Sequence, residues 1–101
     1  MDQARHLTRK GCPHFTVVIA DRQTKGRGRL NRRWYSSMGG LYFTIALRPD
    51  IPPVLSFRIN FAASSVLAQL LRNRYQLDAA VKWPNDILIN DQKVAGILSE
   101  M

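Results

Sequence analysis

The 101 residues predict an α+β fold in which helices pack on a mainly antiparallel sheet. Three observations carry that reading. A single helix-length amphipathic pattern spans residues 54–73. Short runs rich in β-branched and apolar residues lie on both sides of it, and the last two are joined by Asn90-Asp91, a two-residue turn signal for a hairpin. The composition, 46% hydrophobic and 22% charged, is that of an ordinary globular chain, and the length fits one compact domain covering 1–101, with no room for a separate DNA-binding domain.

Taken in order, residues 1–14 are polar and close on Gly11-Cys12-Pro13, the signature of a helix tail stopped by glycine and proline. Residues 15–20 (FTVVIA) have the composition of a strand buried on both faces, hence a central one. Residues 21–38 turn polar and basic, with Gly26, Gly28 and the cations Arg22, Lys25, Arg27, Arg29, Arg32 and Arg33, and read as a mobile loop. Gly39-Gly40 leads into a second strand at 41–47, and Pro49, Pro52 and Pro53 separate it from the helix. In the helix, Leu55, Ile59, Ala62, Ala63, Val66, Leu70 and Leu71 form the expected buried face, with Ser56, Asn60, Ser64, Gln69 and Arg72 opposite. Short strands follow at 79–83 and 87–89, and the last at 93–99.

Lys and Arg number 15 against 7 Asp and Glu, a formal charge of +8 that favours anionic partners without choosing among them. The only cysteine, Cys12, excludes an intrachain disulfide, and cytoplasm is the expected location. No apolar run approaches the roughly 20 residues needed to span a bilayer, and no signal peptide is visible, so no membrane partner is expected. His6 and His14 lack partners at ligand spacing, so no metal is assigned to protein side chains.

Several segments carry chemistry. GRGR at 26–29 combines two glycines, which let a ligand approach the backbone, with two guanidiniums that grip carboxylate or phosphate in bidentate fashion. Taken alone, GRGR reads as a solvated basic loop rather than a clamp. Trp34 and Tyr35 offer aromatic faces for a flat base, or simply core packing. KWPND at 82–86 sets Lys82, Asn85 and Asp86 around a sharp bend, a place for a polar ligand or an ordinary Asn-Asp turn. Lys93, across the hairpin from Asp86 and on one strand with Gly96, could neutralise charge that develops when a carboxylate attacks phosphate, or merely guard a sheet edge.

In combination and in this order, QTKGRGRLNRRWYSSMGGLYFTIALRP and VKWPNDILINDQKVAGILSE resemble the biotin-protein ligases over most of the chain, from about Phe15 to Glu100. The resemblance implies a catalytic domain similar in fold to class II aminoacyl-tRNA synthetases. It implies a two-step reaction: biotin and ATP, with Mg²⁺ accompanying the phosphates, form biotinyl-5′-adenylate and pyrophosphate, and the biotinyl group then passes to a lysine of a biotin carboxyl carrier protein. Gln23, Gly26, Arg27, Gly28 and Arg29 match the family's biotin and adenylate contacts. Lys93 matches its catalytic strand lysine, with Gly96 on the same strand and Arg29 a second catalytic candidate. Trp34 matches the tryptophan by the adenine pocket, Asn85 and Asp86 the pair on the ATP side, and Lys82 adds positive charge there.

Two family features have no match: an upstream Ser-Thr-Asn segment and a downstream GIGIN-like strand. The expectation is therefore a catalytic domain truncated at both ends, inefficient alone, with an open apolar edge at its last strand and association with a missing remainder or a second copy as alternatives. Rival readings are a lipoate or octanoate ligase or transferase of the same superfamily, and, ranked well below, a basic nucleic-acid-binding module.

Overall fold

The computed structural model describes residues 1–83 and 85–100, so Pro84 of the KWPND run lies outside the described residues. The chain divides into two compact units, Met1–Asp50 and Ile51–Met101, parted within the proline-rich stretch between the second strand and the long helix.

The first unit holds helix α1 (Asp2–Arg9) and strands β1 (Thr16–Ala20) and β2 (Tyr42–Ala46). Arg48 ties the end of α1 to the sheet: its guanidinium donates to the carbonyls of Thr8 and Cys12, both at 3.0 Å, satisfying groups that a helix C-terminus leaves open. β1 pairs antiparallel with β2 from Thr16↔Ala46 to Ala20↔Tyr42, and the two form a two-stranded sheet. The expectation that β1 is central and buried on both faces is therefore corrected. α1 covers one face, where Thr16, Val18 and Ala20 are half-buried, while Val17 and Ile19 on the other face are 50% and 68% exposed. Composition registers how apolar a strand is, but not how many neighbours it finds.

In the second unit a short 3-10 turn (Pro53–Leu55) leads into α2 (Phe57–Tyr75), followed by β3 (Ala79–Lys82), β4 (Asp86–Ile89) and β5 (Gln92–Gly96). The strands form one antiparallel sheet in the order β3-β4-β5. Its last strand stops at Gly96, short of the expected 99, and Ile97 instead donates its N–H to the Asn85 carbonyl at 2.8 Å. Ala68, Ala79 and Ile87 form the core, with Leu67, Leu71, Ile89 and Ala95 packed around it.

The expected inner face of α2 also needs correction. Ser64 and Ala68 are its buried residues, whereas Val66 and Leu70 are exposed. Ser64 satisfies its hydroxyl by donating to the Asn60 carbonyl at 2.9 Å, and Arg72 reaches the Ala79 carbonyl at 2.7 Å. Small side chains let the helix settle close to the sheet, so the inner stripe runs through Asn60, Ser64 and Ala68, with Leu67 and the expected Leu71 packed beside it. One further correction concerns length: Pro53–Tyr75 contains an 18-residue window of mean hydropathy 1.4, long and apolar enough to cross a bilayer by those criteria alone. Its contacts are those of a helix covering β3 and β4.

Candidate functional site

The expected site residues divide between the two units. In the first, the segment read as a loop folds back on itself as a narrow ribbon. Arg27 and Arg33 form an antiparallel bridge; Gly28 N–H donates to the Arg32 carbonyl at 2.6 Å and Trp34 N–H to the Gly26 carbonyl at 2.9 Å. The tip is a 3-10 turn, Arg29–Asn31, with Leu30 and Asn31 both at φ 59°. Arg29, the second catalytic candidate, is thereby carried on the exposed tip.

Gly26 is required by close approach. A Cβ there would lie 2.5 Å from the Trp34 carbonyl oxygen, 2.6 Å from Ser36 Oγ and 2.9 Å from Gln23 Oε1. Gln23 is held at both ends: its N–H donates to the Ser36 carbonyl at 3.0 Å, and its side-chain Oε1 accepts from Ser36 Oγ at 2.8 Å. Beside it a cavity of about 460 Å³ is lined by Arg22, Gln23, Thr24, Arg33, Trp34, Tyr35, Ser36 and Ser37. Its walls combine guanidiniums, an indole and a phenol with amide and hydroxyl groups, a set suited to a flat, polar, negatively charged ligand. The Arg33 guanidinium lies 5.0 Å from the Tyr35 ring centroid, a cation–π contact that orients both.

Arg27 donates to Asp2 Oδ1 at 2.9 Å. That hydrogen bond, and then the charge of the same guanidinium, hold the Asp2 carboxyl below its ordinary value. The clamp arginine thus already grips a carboxylate. Neither Asp2 nor Ser36 was singled out by the sequence, because the partners lie 25 and 13 residues away and no local pattern links them.

In the second unit, Lys82 lies directly opposite Asp86 in the β3–β4 register, and Asp86 lies opposite Gly96 across β4–β5. The register shifts between Ile87 and Leu88, so that Leu88 faces Lys93 and Ile87 faces Ala95, leaving Val94 as the extra residue of a β-bulge. The bulge matters because Lys93 and Gly96 are three apart and would otherwise point to opposite faces. With it, both share the face of Asp86, while Ala95 joins Ile87 on the core side. Lys93 Nζ meets Asp86 Oδ1 at 3.0 Å. The Asp86 carboxylate therefore shares one sheet face with two ammonium groups, one opposite it in register and one in direct contact. Among the described residues, no group of three or more His, Cys, Asp or Glu side chains is placed to hold a metal.

This fold is similar to that of solved ligases. The biotin protein ligase from Aquifex aeolicus, in complex with biotin and ATP, superposes with a TM-score of 0.78 at 36% identity over 97% of this chain and 42% of that one. The biotin protein ligase from Leishmania major, in complex with biotinyl-5-AMP, gives 0.70 at 29% identity over 96% of this chain and 46% of that one. Residues 4–101 match the family model described as the biotin/lipoate A/B protein ligase family, and the chain belongs to that family. The bifunctional ligase/repressor BirA of Bacillus subtilis is 41% identical over 99 residues, 97% of this chain and 30% of the relative. The biotin–[acetyl-CoA-carboxylase] ligase of Paracoccus denitrificans is 40% identical over 85 residues, 82% and 35% respectively. The chain thus spans about a third of the length of the curated relatives it matches.

Proposed function

We propose that this chain supplies part of the active site of a cytoplasmic biotin–protein ligase. The proposed reaction has two steps. A carboxylate oxygen of biotin attacks the α-phosphorus of ATP, the bond to the β-phosphate oxygen breaks, and pyrophosphate leaves. The neutral amine of a carrier-protein lysine then attacks the acyl carbon of biotinyl-5′-adenylate, AMP departs with the bonding pair, and the amine loses its extra proton as the amide forms.

The observation that carries this reading is Lys93, whose ammonium is positioned by the bulge and held 3.0 Å from Asp86. In the resting chain Asp86 fixes it; with substrate present the same ammonium balances the charge of the biotin carboxylate and the developing phosphorane. The ribbon does the complementary work. Arg27 exchanges the Asp2 carboxylate for a ligand anion, the exposed tip brings Arg29 to the adenylate, and Gln23, Gly26 and Gly28 line its approach. Trp34, on the cavity wall, offers its indole to adenine. Asp86 and the neighbouring Asn85 suit the ATP side, and Lys82 adds positive charge. One carboxylate beside an amide is a fit for Mg²⁺, which is commonly held by one or two carboxylates together with substrate phosphates. When bound, it would neutralise phosphate charge. The names of the curated relatives support biotin over lipoate.

The test is a chimera in which this chain replaces the matching segment of the Bacillus subtilis relative. It should form biotinyl-adenylate from biotin and ATP, and Lys93→Ala should slow that step roughly 100-fold, the scale on which removing one preorganised charge donor acts. An unimpaired Lys93→Ala chimera, or a chimera that adenylates lipoate in preference to biotin, contradicts the proposal.

A further inference from the structure

We propose that Asn60 and Phe61, adjacent residues of α2, are positioning residues that hold the bend between β3 and β4 from its two sides, and so set where Asn85 and Asp86 meet the phosphates of ATP. The proposal rests on the reading of Asn85 and Asp86 as the ATP side, and it adds the residues that place them.

Neighbouring positions on an α-helix point about 100° apart, so two consecutive residues can grip a bend at two different places. Asn60 holds the side of Asn85. Its Nδ2 donates to the Ile97 carbonyl at 3.3 Å, and its Oδ1 accepts from Ser99 Oγ. The direction of this amide is set chemically: a backbone carbonyl can only accept, so the NH₂ faces Ile97 and the oxygen is left to take the Ser99 proton. Ile97 in turn donates its N–H to the Asn85 carbonyl at 2.8 Å, one residue beyond Asp86 and Gly96, the last pair of the β4–β5 register. Asn60 thus reaches Asn85 through one intervening residue. Asparagine is disfavoured inside a helix because its amide competes for backbone groups; here both ends of that amide are committed to the segment after β5. Phe61 holds the other side. Its ring meets the Trp83 indole at 5.1 Å between centroids with the planes tilted by 53°, within the range that aromatic pairs favour. Phe61 and Trp83 are 52% and 61% exposed, so no surrounding core forces them together. The helix that carries both grips is itself seated on the sheet through Ala68, packed with Ala79 and Ile87. Neither the ribbon that carries Gln23 nor the bulge that orients Lys93 depends on these links, so loosening them should weaken ATP more than biotin.

The experiment has a structural and a kinetic reading. In the ¹⁵N-labelled chain, the Ile97 amide should exchange with solvent roughly tenfold faster in Asn60→Ala than in the parent, the scale of one lost hydrogen bond. Asn60→Asp, which can still accept from Ser99 but cannot donate to Ile97, should release it at least as far. In the chimera with the Bacillus subtilis relative, the KM for ATP in adenylate formation should rise roughly tenfold in Asn60→Ala, Asn60→Asp and Phe61→Ala, while the KM for biotin changes less than about twofold. Phe61→Tyr, which keeps the ring, should restore the parent value. An Ile97 amide indifferent to Asn60→Ala, equal increases in KM for the two substrates, or Phe61→Tyr as impaired as Phe61→Ala overturns the assignment. A parent chimera that forms no biotinyl-adenylate, with the Ile97 amide still released by Asn60→Ala in the chain, contradicts the proposed function and leaves the hold of Asn60 on the bend standing.

Discussion

Gly26 shows how little freedom single positions in the ribbon have. A methyl group there meets a backbone carbonyl as well as two side chains, and that carbonyl belongs to Trp34, whose N–H donates to the Gly26 carbonyl across the ribbon. Gly26→Ala should therefore destabilise the first unit by about 1–3 kcal/mol, the usual scale of overpacking, measured by thermal unfolding. A variant as stable as the parent would mean that the ribbon is looser than described. Asp2 gives a second prediction. Its folded pKa lies below the ordinary value of 3.8 because Arg27 favours the charged form. The stabilisation from that pair is then fully present above the unfolded pKa and is lost as pH falls through the lower, folded one. An NMR titration of the Asp2 carboxyl carbon should give a midpoint below 3.8. A midpoint at or above that value would remove Asp2 from the description of Arg27.

Among the elements, the β4–β5 hairpin is the most telling, because one turn and one bulge together decide where Lys93 points. The turn places Asn90 at φ 52° and Asp91 at φ 62°, the left-handed pair that a two-residue hairpin connection demands. Glycine adopts that conformation without the Cβ penalty, so Asp91→Gly should stabilise the chain by about 0.5–1 kcal/mol in chemical denaturation, and a loss of stability would argue against this turn geometry. The hairpin was legible in the sequence because Asn-Asp is a strong turn signal between apolar runs. The bulge was not, since nothing local marks Val94 as extra; only the demand that Ala95 face the core and Gly96 face Asp86 does so. The inner face of α2 was misread for a related reason. Large apolar side chains dominate a periodicity, yet close helix–sheet contact selects small ones such as Ser64 and Ala68. GRGR and KWPND stood out because their chemistry is local, whereas Ser36 and Asp2 act through contacts made only when the chain folds back.

At the scale of the whole molecule, the excess of 15 basic over 7 acidic residues acquires a use. Cationic groups gather at both expected parts of the site: Arg22, Arg27, Arg29 and Arg33 along the ribbon, and Lys82 and Lys93 on the sheet face that carries Asp86. Such a field suits a ligand that is anionic at one end and flat at the other, as an acyl-adenylate is. The central proposal is that Arg29 on the ribbon and Lys93 on the sheet each contribute to binding a biotinyl-adenylate. Titration calorimetry of the chimera with biotinyl-5′-AMP tests it most directly, comparing the parent with Arg29→Ala, Lys93→Ala and, as an exposed cation outside both groups, Lys10→Ala. The account predicts binding that weakens roughly tenfold or more in Arg29→Ala and in Lys93→Ala, as the loss of a charged hydrogen bond would cause, and that stays unchanged in Lys10→Ala. Absence of binding, or equal losses in all three variants, would contradict it.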